Sequence, residues 1–307
     1  MNKTSIEWVK NPDGSQGYTW NPITGCLNHV NGMCKGGGFP CYAYRLANGR
    51  LKQRYLANHK WTTEVVAHSI PAVIDPFYPR FWPPRLEELH DRNRAITERG
   101  LCPEARGIFV CDMGELFSDW VPEDWTREIL HAIDLNEGHD RFYLLTKQPQ
   151  NLIKWSPFPE NCWVGVTVCN RPMLNAALYH LQHIKATVRY LSLEPLLDRL
   201  SDKEGRTGRV GPGAMIKGMF DYDEWVFQHV DWLIIGAQTK PYKPPKIEWV
   251  QEIVEAADKA GIPVFLKDNL LEAVNYESPE TEFAFNKEGY YRQELPSALQ
   301  LRQEVGK

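Results

Sequence analysis

The chain has 307 residues, 43% of them hydrophobic, and a formal net charge of −4. This apolar content suffices for a large core, and the slightly acidic balance excludes a globally basic protein, so nucleic-acid binding would need a local patch. Residues 1–14 lack the apolar core of a signal peptide, and no run is long enough to span a bilayer. We therefore expect a cytoplasmic protein without a membrane partner.

Apolar segments of strand type alternate with helical segments along most of the chain. Near-continuous apolar strands separated by helices indicate a parallel sheet. Six or seven such units predict an α/β fold, either a partial or complete (β/α) TIM-type barrel or, as the alternative, a doubly wound sheet. The predicted strands are 18–24, 108–111, 142–145, 163–168, 188–193, 232–236 and 263–266, and the predicted helices are 41–58, weakened at Asn48-Gly49, 86–96, 123–134, 173–184 and 247–260.

Two segments interrupt this alternation. Residues 198–229 begin with a charged, glycine-rich stretch, which is typical of an exposed insertion or a mobile loop. Residues 270–307 carry little pattern and are interpreted as a C-terminal appendage. Because α/β barrels of this length commonly form one unit, we expect a single domain over 1–307.

A glycine-rich loop carries three cysteines, Cys26, Cys34 and Cys41. Three thiolates in one such loop indicate a metal site. A structural zinc ion takes four ligands, and His29 inside the loop is the candidate for the fourth. A [4Fe–4S] cluster held by three cysteines would instead leave one iron open. Iron–sulfur, zinc and a metal-free loop all remain open on this pattern alone.

Polar residues follow most of the predicted strands. Because the carboxyl ends of parallel strands meet at one edge of a sheet, we expect these residues to converge there with the cysteine loop. A charged group at the end of a buried strand usually needs a partner or a ligand. The residues are Cys111 to Glu115, Thr146 and Lys147, Thr167 with Cys169 and Asn170, Ser192 to Pro195, Gly236 to Gln238, and Lys267 with Asp268.

An ordered series of motifs then points to a family. In chain order the motifs are WNPITGC, CYAYRLA, FVCDMGELF, LLTKQP, WVGVTV, LSLEPLL and WLIIGA. The series resembles a phage-associated family of three-cysteine proteins of unknown function, whose members look like distant relatives of the radical S-adenosylmethionine (SAM) enzymes. The resemblance covers about Trp20 to Lys267. It implies a partial TIM-type barrel.

The resemblance also implies a cofactor set. Cys26, Cys34 and Cys41 would hold a [4Fe–4S] cluster, and SAM would bind the open iron. The usual radical-SAM loop has three and two residues between its cysteines, whereas seven and six separate them here. By analogy with the Gly-Gly-Glu element of those enzymes, Met113-Gly114-Glu115 would hold the methionine amine of SAM, and Phe39 and Tyr42 would pack on its adenine.

The remaining candidates lie at the strand ends. Thr146, Lys147, Thr167 and Glu194 are candidates for the ribose, the carboxylate or the substrate. Lys147 is also a candidate acid/base, or simply a surface lysine. Cys111 and Cys169 would donate a hydrogen atom or an extra ligand, although cysteines of this kind are more often small buried hydrophobic residues.

The function expected from this reasoning is a radical-SAM-like enzyme. It would cleave SAM with an electron from a donor and act on an unknown substrate, for which a nucleic acid or a nucleotide is the candidate. A local basic stretch beside the loop could meet phosphates. One alternative is a non-catalytic binding protein stabilised by zinc or an iron–sulfur cluster, and another is a metal-free hydrolase built on Glu115 and Glu194. The basic residues are Lys35, Arg45, Arg50, Lys52 and Arg54.

Overall fold

The computed structural model describes residues 1–58, 73–100, 103–136, 138–201, 229–274 and 279–296. Their contacts divide the chain into two compact units. The first comprises Met1–Val166 with Ile184–Thr187, and the second comprises Thr167–His183 with Val188–Lys307. Most of the predicted insertion, residues 202–228, lies outside the described residues.

The first unit is built on side-by-side strands. Its first pair is antiparallel, and each following pair is parallel. The Gly107–Val110 strand is buried along its whole length, as expected for a strand covered on both faces. Across the sheet the strands are Asn2–Lys3, Tyr18–Trp20, Gly107–Val110, Arg141–Thr146 and Cys162–Thr167, the last of which ends in the first residue of the second unit.

The helices of the first unit bury one apolar side each. In Glu123–Asp134 the buried residues Ile129, Ala132 and Ile133 recur at helical spacing, and Glu123 and Asp124 occupy the first turn, where negative charge is favourable. The predicted helix 41–58 is divided in two at Gly49. The described helices are Tyr42–Asn48, Lys52–Leu56, Pro83–Thr97 and Glu123–Asp134, followed by a 3-10 helix at Pro149–Trp155.

In its described residues the second unit has three parallel strands and two long helices. The helix Arg171–Leu181 begins at Asn170, whose side chain accepts a hydrogen bond from the Met173 amide, and Ile247–Ala260 ends at Gly261 in the left-handed conformation. The strands are Val188–Leu193, Trp232–Ile235 and Val264–Leu266.

The described part of the C-terminal segment lies along the last strand of the second unit. The Leu266 amide donates to the Arg292 carbonyl at 2.8 Å, and the Glu294 amide donates to the Val264 carbonyl at 3.0 Å. The indole of Trp232 also donates to the Glu294 carbonyl. Residues up to 296 therefore belong to the packing of this unit.

The predicted mixed α/β class and the mostly parallel strands are confirmed. Eight main strands are described, five in the first unit and three in the second. Among the described residues no strand pairing closes either set into a barrel, so the finer barrel prediction stays a prediction. No helix in the described part of the chain has both the length and the apolar character needed to cross a membrane.

Candidate functional site

The cysteine loop begins where the chain is attached to two neighbouring segments. The Gly25 amide donates to the Met113 carbonyl, and the Cys26 amide donates to the Phe77 carbonyl, both at 2.9 Å. Gly25 has a φ of +91°, and a Cβ there would lie 2.4 Å from the Tyr78 carbonyl oxygen. Only glycine fits this position, because it tolerates the left-handed region and leaves room for the neighbouring backbone.

A small hairpin carries the second cysteine. Its turn is Asn31-Gly32, with φ angles of 47° and 82° that suit a type I′ turn. The Cys34 amide donates to the Phe39 carbonyl at 2.9 Å, and the Cys41 amide donates to the Gly32 carbonyl at 2.8 Å. The spacing between the cysteines is therefore taken up by an ordered hairpin and a return segment.

Two of the three cysteines share one environment. Cys26 and Cys41 both pack against a buried cluster formed by Ala43, Ala47, Tyr55, Phe77 and Met113. Burial, the Glu115 carboxylate and Cys41 raise the pKa of the Cys26 thiol, while the Asn28 amide and the Lys147 ammonium lower it, and the net pKa is about 12. The Glu115 carboxylate and the Cys41 thiol thus both act electrostatically on Cys26.

Backbone amides face both sulfurs. The Asn28 amide donates to Cys26 Sγ at 3.2 Å, and the Tyr44 amide donates to Cys41 Sγ at 3.5 Å, where Cys41 caps the helix Tyr42–Asn48. Such N–H groups stabilise a thiolate more than a thiol, because they favour the charged form. The two sulfurs are therefore supplied with donors suited to metal-bound thiolates.

Cys34 stands apart from this pair. It is buried, at 7% exposure, but it does not pack in the cluster that holds Cys26 and Cys41. All six cysteines in the described residues are free thiols. Within the same residues, no three or more His, Cys, Asp or Glu side chains are grouped closely enough to hold a metal ion.

Glu115 is a buried carboxylate beside the loop, at 5% exposure. Its Oε2 accepts the Lys147 amide at 3.1 Å, whereas the buried Oε1 has no well-formed hydrogen bond. Burial raises the pKa of Glu115, and the nearby Lys147 ammonium, the Thr146 hydroxyl and backbone amides only partly offset it. Glu115 is thus an acceptor with spare capacity in a desolvated position.

The residues before Glu115 form a tight turn. Cys111 has a φ of 60° and is buried, which raises the pKa of its thiol to about 12. The Gly114 amide donates to the Cys111 carbonyl at 2.9 Å. A Cβ at Gly114 would lie 3.1 Å from Thr24 Cα, so glycine permits the close approach of the two segments.

The sequence indicates no role for Asn21, and it places Asp112 at a strand end without a partner. The Asn21 side chain donates to Asp112 Oδ1 at 2.5 Å and accepts the Met113 amide at 2.9 Å. The Tyr42 hydroxyl donates to the Asp112 carbonyl, which ties the helix after Cys41 to the same turn. Burial raises the pKa of Asp112. Asn21 is signalled only by its place inside WNPITGC, whereas Asp112 lies inside FVCDMGELF at a predicted strand end.

The other predicted residues of the first unit lie either beside Glu115 or in and after the cysteine loop. Thr146 and Lys147 adjoin Glu115. Thr146 also accepts the Gln148 amide at 2.9 Å and is fully buried. Phe39 lies half-buried in the return segment, and Tyr42 is 46% exposed.

The second unit has a polar cluster of its own. The Val168 amide donates to the Ser192 carbonyl at 2.9 Å, which sets Thr167 opposite Ser192. Side chains alternate along a strand, so Glu194 shares the face of Ser192 and Thr167. The register Leu193↔Ile235↔Leu266 continues to Gly236 and Lys267.

The centre of this cluster is an ion pair. Lys267 Nζ lies 2.5 Å from Glu194 Oε1, with side-chain exposures of 11% and 22%. A Cβ at Gly236 would lie 3.0 Å from Lys267 Cδ and 3.1 Å from Glu194 Cγ. The absence of a side chain at Gly236 therefore leaves room for the Lys267 and Glu194 side chains. Thr167 is buried with an Oγ1 that has no hydrogen-bond partner among the described residues.

The structure thus joins the predicted residues within each unit. In the first unit it brings Cys26, Cys41, Glu115, Thr146 and Lys147 together and leaves Cys34 apart. In the second, Thr167 and Glu194 share one face of the sheet, and Glu194 pairs with Lys267, which also lies at a predicted strand end. Cys169 is fully buried, as a small hydrophobic residue would be.

Comparison with known proteins gives a family and no function. A family model described as "Protein of unknown function (DUF5131)" matches residues 3–278. No curated protein matches the chain. No solved structure matches it either.

Proposed function

Because the chain belongs to the DUF5131 family of unknown function, its role must be inferred from its own residues, and we propose a radical-SAM-like enzyme. Cys26, Cys34 and Cys41 hold a [4Fe–4S] cluster, and SAM binds beside it. The observation that carries this proposal is the junction of two cysteines with the buried, under-bonded Glu115 carboxylate. Thiolate ligands and an acceptor for a ligand's amine are adjacent there.

The donor chemistry fits an iron–sulfur cluster. Soft thiolates are the ligands that such clusters use. Cys26 and Cys41 pack against one cluster of side chains, and a backbone amide donates to each sulfur. Only two of the three proposed cysteine ligands share this environment, because Cys34 does not pack in it. The proposal therefore requires Cys34 to join the other two when the group binds.

The bound cluster would supply an electron, taken from an external donor, to the SAM sulfonium. The chain's own residues bind and orient SAM. Glu115 Oε1 accepts the methionine amine, which compensates the burial that raises its pKa. Phe39 and the exposed ring of Tyr42 would pack on the adenine, and the Lys147 ammonium would pair with the SAM carboxylate.

Other candidate residues would contact the substrate or donate hydrogen atoms. Thr146, Thr167 and Glu194 would contact the ribose or the substrate, and Cys111 and Cys169 would serve as hydrogen-atom donors. The substrate would be a nucleotide or a nucleic acid. The fold would be a partial barrel of the radical-SAM type.

A second candidate is a zinc-stabilised binding protein without chemistry. His29 favours it, because its Nδ1 accepts the Gly32 amide at 3.2 Å while its buried Nε2 lacks a well-formed hydrogen bond. Burial also lowers the pKa of His29, which keeps the imidazole neutral as a metal ligand must be. Zinc would then use the three cysteines and this nitrogen.

Metal content and SAM cleavage separate the two candidates. Wild type, Cys26→Ser, Cys34→Ser, Cys41→Ser and the control Cys162→Ala would be reconstituted without oxygen and incubated with dithionite and SAM. Cys162 is fully buried in a strand away from the loop. We expect iron and 5′-deoxyadenosine only from wild type and the control. If wild type instead holds zinc and no iron, and His29→Ala loses that zinc, the result would contradict the proposed enzyme and support the second candidate.

A further inference from the structure

The segment around the cysteine loop has an unusual charge distribution. Residues 14–58 contain no aspartate or glutamate, although acidic residues outnumber basic ones by 39 to 35 in the whole chain. The same residues carry five lysine and arginine side chains. We call these five the basic segment: Lys35, Arg45, Arg50, Lys52 and Arg54.

All five side chains of the basic segment are exposed. None of them takes part in an ion pair between described residues, whereas exposed cations elsewhere in the first unit do, as in Arg94–Asp91 and Lys154–Glu123. The positive charge of the basic segment is thus left uncompensated within the described chain.

Two described carboxylates near the basic segment, Asp75 and Asp112, are engaged elsewhere. Asp75 Oδ1 accepts the Phe77 amide at 2.8 Å. Asp112 Oδ1 accepts the Asn21 side chain, and burial raises the pKa of Asp112. Neither carboxylate forms an ion pair with the basic segment, so its surface stays positive.

The scaffold beneath these cations is ordered. Ala43, Ala47 and Tyr55 bury the inner sides of the helices Tyr42–Asn48 and Lys52–Leu56. The Leu51 amide donates to the Leu46 carbonyl at 3.0 Å across the intervening turn. Because the inner sides are fixed, the cations stand on a preformed surface.

Apolar side chains are exposed among the cations. Val30 is 58% exposed, Met33 42% and Tyr42 46%. A surface that combines cations with exposed aromatic and apolar groups is typical of single-strand binding, in which phosphates meet the cations and bases stack on rings. A duplex would engage only the charges, because its bases are already stacked.

We propose that the basic segment, with Tyr42, is a docking surface for single-stranded nucleic acid. The inference rests on the proposed function only in taking the substrate to be a nucleic acid. The same surface borders Cys41, so a strand bound there would lie next to the proposed cofactor site.

An anionic membrane is the competing partner for such a surface. A helix that inserts into a bilayer needs a continuous apolar face left free. Here the apolar faces of both helices are used in the core, and each helix is short, with seven and five residues. Charge complementarity with a flexible polyanion therefore accounts for the surface better.

Fluorescence anisotropy with a labelled single-stranded oligonucleotide tests the proposal. The test variant Arg45→Gln/Lys52→Gln/Arg54→Gln and the control Arg94→Gln/Arg127→Gln/Lys154→Gln change the net charge equally. The control cations are exposed but lie near carboxylates. Each phosphate contact contributes about 0.7 to the slope of log affinity against log salt. We expect the test variant to reduce that slope by about 2 and to bind at least tenfold more weakly at low salt, and the control to match wild type.

Two variants of Tyr42 test the role of its ring in the same assay. Tyr42→Phe keeps the ring and should bind as wild type does, whereas Tyr42→Leu should weaken binding about tenfold with an unchanged salt slope. Equal losses in both charge variants, equal affinity for a duplex, or preference for anionic phospholipid vesicles would each overturn the proposal. The binding assay needs no SAM, so it is independent of the proposed enzyme. Oligonucleotide binding without SAM cleavage would contradict only the proposed enzyme. SAM cleavage without oligonucleotide binding would contradict only the proposed docking surface.

Discussion

The Gly25 amide donates to the Met113 carbonyl at 2.9 Å, and this bond joins the start of the cysteine loop to the turn that carries Glu115. The two segments are far apart in the sequence and adjacent in the first unit, where Tyr18–Trp20 pairs in parallel with Gly107–Val110. The site of the first unit is thus an extension of the strand pairing that precedes it.

Gly25→Ala should be strongly destabilising. Alanine at a φ of +91° is strained, and its Cβ would lie 2.4 Å from the Tyr78 oxygen. We expect a loss of about 3 kcal/mol in the free energy of unfolding, measured by denaturant titration. The control Gly38→Ala has a φ of +67° with nothing within 4 Å and should lose about 1 kcal/mol. Equal losses would contradict the role of the close approach.

Glu115→Gln should change how stability depends on pH. The ordinary pKa of this carboxyl is 4.5, and burial raises it in the folded state. As the pH rises above 4.5 the unfolded chain releases its proton first, so this group lowers the free energy of unfolding until the folded pKa is passed.

The variant without this titration should therefore gain stability relative to wild type from about pH 4 upward, by at most about 1.4 kcal/mol per pH unit, and then level off. Denaturant titrations of the metal-free proteins from pH 4 to 8 measure this difference in the free energy of unfolding. Glu98→Gln, at an exposed position, is the control and should track wild type. A pH-independent difference for Glu115→Gln would contradict the burial argument.

A double-mutant cycle should show that Glu194 and Lys267 stabilise one another. Both side chains are mostly buried and lie 2.5 Å apart. The coupling energy from Glu194→Gln, Lys267→Met and the double variant should be about 1–2 kcal/mol, between the values of exposed and fully buried pairs. The exposed pair Asp91–Arg94 should give less than about 0.5 kcal/mol. Coupling near zero for Glu194–Lys267 would mean that the pair is not formed in solution.

Much of the fold follows from apolar runs in the sequence. The strands at 188–193 and 232–235 lie where mainly apolar residues predict them, and the helices 123–134 and 247–260 have the predicted bounds. The break at Gly49 follows from the low helix propensity of glycine. These features depend on local pattern, which a single sequence contains.

The site was harder to predict because it depends on long-range pairing. The bonds of Asn21 to Asp112 and Met113 join residues that follow two separate strands, and no local pattern indicates them. The partner of Glu194 follows only from the register that aligns Lys267 beside it. The cysteine hairpin did have a local signal, since Asn31-Gly32 between apolar residues favours a type I′ turn.

Electron paramagnetic resonance of the anaerobically reconstituted, dithionite-reduced protein, with and without SAM, tests the central claim most directly. The proposal predicts about four irons per chain and a reduced-cluster signal whose shape changes when SAM is added. Loss of that signal in Cys34→Ser would show that Cys34 joins Cys26 and Cys41. A protein that holds one zinc and no iron, or a cluster signal indifferent to SAM, would contradict it.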